Sequence, residues 1–66
     1  MTNEEAKIAL KNRTPVVFKN IEYSYISAIL YRYDKNDNLI ISVELTDKNR
    51  RSVTIAQLKD VIKSHD

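Results

Sequence analysis

The chain contains no glycine, no cysteine and no tryptophan, and only one proline, one phenylalanine and one histidine in 66 residues. Without glycine, every turn that needs positive φ falls to Asn, Asp or another residue that carries a Cβ, and no phosphate-cradling glycine loop can be built. Without cysteine, and with a single imidazole, neither a disulfide nor a structural metal is at hand to staple a small fold. A chain of this length makes one domain and buries only about 60% of the surface its unfolded form exposes. Packing or self-association must therefore supply its stability. The missing thiols fit a reducing compartment, and the expected location is cytoplasmic.

Long apolar runs are also absent. The apolar runs are only three or four residues long, as in Leu39-Ile40-Ile41, against the roughly 20 residues needed to cross a bilayer. The start, Met1-Thr2-Asn3-Glu4-Glu5, is acidic and polar where a secretory signal is basic and then apolar. The expectation is a chain that is neither exported nor membrane-bound. Charge of one sign is lacking too: 11 basic residues face 9 acidic ones, a net +2. That balance permits a nucleic-acid partner without arguing for one.

What the chain does have is a long hairpin pattern, residues 21–33 and 39–46, joined by the polar loop Asp34-Lys35-Asn36-Asp37-Asn38. Ahead of it, Thr2 and Glu5 stand at capping-box spacing and predict a helix over about 3–12. Met1 and Ala6 sit at the hydrophobic-staple positions, and Ala6, Ala9 and Leu10 share one face. Pro15 ends the helix. Val16-Val17-Phe18 predicts a first strand over 16–19, and Lys19-Asn20 a two-residue turn. In residues 21–33 the apolar alternation changes face, from Ile21, Tyr23 and Tyr25 to Ile26, Ala28 and Leu30. A bulge or bend near Tyr25 to Ser27 reconciles the two.

In residues 39–46 the alternation is regular, and Leu39, Ile41, Val43 and Leu45 are expected to face the core. A second turn, Asp47-Lys48-Asn49-Arg50, leads to a strand over 52–55 with Val53 and Ile55 expected inward. Residues 56–62 read either as a helical turn followed by a short strand or as a short helix. The fold class is mainly β with a short N-terminal helix, an α+β chain of four to five antiparallel strands.

A helix followed by strands of about five, twelve, eight and four residues is the element order of the small closed barrels. In that order the chain resembles the Src-homology-3-like barrels and, with its leading helix, is similar to the Sm-like RNA-binding proteins. The run Val16-Val17-Phe18-Lys19-Asn20 matches an apolar segment that ends in Asn-Gly in the bacterial Sm-like group, with Ile21 here in place of the glycine. That group's basic and aromatic late-strand triad would fall near Val53-Thr54-Ile55, where nothing is basic, so no RNA-binding residue carries over. The chain also looks like short prophage and mobile-element proteins of Gram-positive bacteria. That resemblance implies an accessory role acting on a cellular protein.

Four features carry candidate chemistry. Tyr23, Tyr25, Tyr31 and Tyr33, with Arg32 between the last two, would stack bases or hold a peptide if displayed; otherwise they fill a core short of other aromatics. Lys48, Arg50 and Arg51, with Lys35 and Lys19 on other turns, would meet phosphates, or else form solvated tips that blunt strand edges. Ile40, Tyr31 and Tyr33 are candidates for a partner surface or homodimer seam. The loop 34–38 resembles a calcium loop, but Leu39 stands where glycine is needed and Leu45 where a bidentate Glu is needed.

No residue nominates itself as catalytic, cofactor-binding or metal-binding: His65 lies beside the terminus, and Glu4-Glu5 belong to the helix start. The expected function is a non-catalytic binding domain with a protein partner or a second copy. The alternative is a nucleic-acid-binding small barrel using Tyr31, Arg32, Tyr33, Lys48, Arg50 and Arg51. Neither a cofactor nor a small-molecule substrate is expected.

Overall fold

The Thr2 hydroxyl accepts the Glu5 N–H at 3.1 Å and the Glu5 carboxylate accepts the Thr2 N–H at 2.8 Å. Two amides left open at the first turn are thereby satisfied, and helix α1 (Asn3–Asn12) starts there. It stops at Arg13, which takes the left-handed conformation and returns its N–H to the Ala9 carbonyl. The computed structural model describes residues 1–64. After α1 come β1 (Val16–Phe18), β2 (Ile21–Tyr23), β3 (Tyr25–Tyr33), β4 (Leu39–Thr46), β5 (Val53–Gln57), a 3-10 turn at Leu58–Asp60 and β6 (Val61–Lys63). The chain is mainly β with one N-terminal helix.

The strands form two three-stranded antiparallel sheets, ordered β2-β1-β6 and β3-β4-β5, and not a closed barrel. The single long strand expected over 21–33 is broken at Ser24. Its N–H turns to the Thr46 carbonyl at 2.9 Å, so that residues 21–23 pair with β1 and residues 25–33 with β4. Among the described residues six strands result where four to five were expected, because of that break and because the tail forms both a turn and a last strand. Lys19 and Asn20 have φ of 51° and 64°, the paired positive values of a two-residue type I′ hairpin turn.

A bulge lies between Ile26, opposite Leu45, and Ala28, opposite Glu44. Ser27 is the extra residue, and its hydroxyl donates to the Glu44 carboxylate at 2.6 Å. The inserted residue shifts the side-chain phase, which corrects the grouping of Ile26 with Ala28 and Leu30. Ile26 instead shares the core side with Ile29, while Leu30 is exposed. The core joins Ala6 and Ala9 of α1, Val16, Tyr23 and Val61 of one sheet, and Ile26, Val43, Leu45 and Ala56 of the other, with Leu58 from the turn. Alanine at the two buried positions of α1 lets the helix backbone lie close to the sheet, with Leu10 packed against the core beside them.

Two expectations about facing need correction. Val53 and Ile55 point outward and are exposed, while Ala56 is buried. Thr54 lies opposite Leu45 and Ala56 opposite Val43, and directly opposed residues share a face. Leu39, although in phase with the buried Val43 and Leu45, is 49% exposed.

Candidate functional site

The uncovered end of the second sheet follows from element lengths. Ten helical residues span about 15 Å, whereas the eight residues of β4 span about 25 Å. The Tyr31 hydroxyl donates to Asn3 Oδ1 at 2.9 Å, and the Arg13 guanidinium lies 5.1 Å from the centre of the Tyr25 ring. The helix therefore runs back along β3 from Tyr31 to Tyr25, and the sheet beyond it is bare. Tyr31, Tyr33 and Leu39 are 52%, 70% and 49% exposed there, on the same side of the sheet as the core.

A shallow groove of about 270 Å³ adjoins Leu39 and is lined also by Met1, Ile40, Ile41, Gln57, Leu58 and Lys59. It exists because β5 ends at Gln57, opposite Ser42, so Leu39–Ile41 have no β5 neighbour.

The seven residues singled out in the sequence fall in three places. Tyr31 and Tyr33 join Leu39 at the bare end. Arg32 and Ile40 are directly opposed on the reverse face, so Ile40, which is half-buried, does not share a surface with the two tyrosines. Lys48, Arg50 and Arg51 stand on the β4–β5 turn at the far end of β4, roughly 25 Å along the strand from Leu39. Lys48 is engaged with Glu22 at 2.8 Å; Arg50 and Arg51 are exposed.

The tyrosines divide between roles: Tyr23 is buried, Tyr25 half-buried, and Tyr31 and Tyr33 are exposed. Facing patterns missed the exposure of Leu39, yet the mismatch between a ten-residue helix and a longer hairpin was already present in the chain. They missed as well the outward row of Leu30, Val53 and Ile55.

The carboxylates are used as structural groups. The Thr2 N–H and then the Lys63 ammonium, at 2.9 Å, lower the Glu5 carboxyl from 4.5 to about 2. Lys48 and then the Ser64 hydroxyl hold Glu22 below the usual range. Asp34 is lowered by the Asn38 and Asn36 amides, which donate to its Oδ1 at 2.9 and 2.8 Å. Asp47 is lowered by the Ser52 hydroxyl and the Arg51 amide. Loop 34–38 thus turns its first carboxylate on its own backbone. His65 lies outside the described residues. Among the described residues, no three His, Cys, Asp or Glu side chains come together, and no helix is long and apolar enough to cross a membrane. No family model, curated protein or solved structure matches this chain.

Proposed function

We propose that this chain is a non-catalytic interaction domain, a small Src-homology-3-like barrel in outline, that contacts a protein surface with the bare end of its β3–β4 hairpin. The observation that carries the reading is the exposure of Tyr31, Tyr33 and Leu39 together on the core side of the sheet, Tyr31 beside the first residue of α1 and the other two past it. Clustered aromatic side chains on a rigid strand are what protein interfaces enrich. The carboxylates support a non-catalytic role, since Glu5, Glu22, Asp34 and Asp47 are committed to a cap, ion pairs and turns. An accessory role on a cellular protein, in the cytoplasm, fits the resemblance to short prophage proteins.

A second reading places nucleic acid at the opposite end. It is favoured by exposed Arg50 and Arg51 beside the strand start where Arg13 covers Tyr25. Affinity capture from the source cells separates the two. The expected result is a protein partner lost with Tyr33→Ala/Leu39→Ala and kept with Arg50→Ala/Arg51→Ala. The opposite pattern, with oligonucleotide binding that weakens steeply with salt, rejects the proposal in favour of nucleic acid.

A further inference from the structure

The hydrogen-bond phase of β3 defines its free edge. The Asp34 N–H donates to the Asn38 carbonyl at 3.0 Å, and Tyr33, Arg32, Tyr31 and Leu30 lie opposite Leu39, Ile40, Ile41 and Ser42. Hydrogen-bonded and non-hydrogen-bonded pairs alternate in an antiparallel ladder. Arg32 and Leu30 therefore use their main-chain groups on β4, and the N–H and C=O of Ile29, Tyr31 and Tyr33 point off the sheet. β3 is the outermost strand on that side, and Leu30 to Tyr33 are all exposed. Past Ser27 this edge has no bulge and no proline, and Arg32 is its one charge. It lacks most of the devices that keep edge strands apart.

We propose that a second copy of this chain occupies that edge, β3 pairing antiparallel with β3 about a twofold axis at Tyr31, so that two three-stranded sheets become one continuous sheet. The inference rests on the reading of Tyr31 and Tyr33 as a contact surface and names the occupant. Outward amides must meet outward amides, which restricts the axis to whole-residue positions.

An axis at Arg32 sets that arginine against its own copy, a like-charge pair. One at Leu30 drives Tyr33 against the bulge at Ser27, and one at Tyr33 runs the partner off the strand end at Asp34. An axis at Tyr31 faces Tyr31 with Tyr31, Ile29 with Tyr33, and Leu30 with the aliphatic stem of Arg32, all favourable cross-strand pairs. It also keeps the helices clear of each other. Each α1 begins at Tyr31 and runs toward Tyr25, so the two copies of the helix leave the axis in opposite directions. The same patch meeting itself is the usual form of a twofold interface, and a core this small, without disulfide or metal, gains from it.

Sedimentation of the full chain tests this. The expected result is a mass that rises from 7.7 kDa toward twice that value with concentration. Leu30→Lys places like charge against Arg32 of the second copy at two symmetric positions, and is expected to weaken association about tenfold with an unchanged circular dichroism spectrum. Since the chain has no cysteine, Tyr31→Cys is expected to oxidise to a linked dimer, and Val53→Cys on the opposite edge strand is not. A monomer at all concentrations, a dimer indifferent to Leu30→Lys, or linkage at position 53 in place of 31 overturns the proposal. If the chain is monomeric but partner capture still depends on Tyr33 and Leu39, self-pairing alone falls. If capture is indifferent to them as well, the interaction reading falls with it.

Discussion

Among the described residues, five with a Cβ hold positive φ: Arg13, Lys19, Asn20, Asp37 and Arg50. Each sits where a turn or helix end demands the left-handed region, and a chain without glycine has nothing better to put there. The two longer hairpin loops solve the problem alike. Asp34 and Asp47 open them, the residues three further on, Asp37 and Arg50, take φ of 64° and 58°, and their amides return to the Asp34 and Asp47 carbonyls at 3.0 and 3.1 Å. In each loop the opening carboxylate then collects further donors.

The left-handed conformation costs a non-glycine residue about 1–2 kcal/mol, of which the greater freedom of unfolded glycine takes back about 0.5–1. Arg50→Gly is thus expected to stabilise the fold by about 0.5 kcal/mol and raise its melting temperature by roughly 2–4 °C. Asn20→Gly should gain less, because Asn tolerates that region. A fall in melting temperature for Arg50→Gly would contradict the argument.

Helix α1 is tied to the sheet at its N-terminal end as well as through Ala6 and Ala9. The Met1 ammonium donates to the Val61 carbonyl at 2.9 Å, and Glu5 pairs with Lys63 of β6. Glu5 is held at about 2 in the folded chain against an ordinary 4.5. Because the folded value is the lower one, its contribution is fully present above 4.5 and is lost as pH falls toward 2. Melting temperature should therefore drop across that window, with Glu22, Asp34 and Asp47 adding in the same direction. Glu5→Gln should flatten the acid limb. An unchanged slope would show that the cap and ion pair do not act on stability.

The helix start was legible because a capping box is local: Thr2 and Glu5 are enough to define it. The Lys19-Asn20 turn and the need for a bulge were legible for the same reason. The break at Ser24 was not, since it depends on the Thr46 carbonyl, far along the chain. Nor was the facing of β5: alternation offers two phases for Val53-Thr54-Ile55-Ala56, and only pairing with Leu45 and Val43 selects between them.

At the level of the molecule, one small core carries the stability. Leu45, Val43, Val16, Ile26 and Val61 are its largest fully buried side chains. Leu45→Ala should cost about 2–5 kcal/mol, comparable with the whole stability, roughly 3–5 kcal/mol, of a domain this size. The variant is expected to lose its cooperative urea transition at 25 °C. Val53→Thr, at an exposed position, should stay within about 0.5 kcal/mol of the parent. Equal effects at the two sites would mean that the outward row of the second sheet is covered by another surface in solution.

Composition and short-range pattern settled the class of this chain: a mainly β domain with one capped helix, stabilised without cysteine or glycine, its core built on alternate residues of the 39–46 segment. These features depend on bonds and steric limits within a few residues of one another. Which side chains became surface was decided only when the elements met. A helix about 15 Å long, laid on a hairpin about 25 Å long, leaves Val43 and Leu45 buried, Tyr31 half covered at the helix start, and Leu39 and Tyr33 exposed past it. The alternation is the same along the whole strand, and burial depends on what lies across from it.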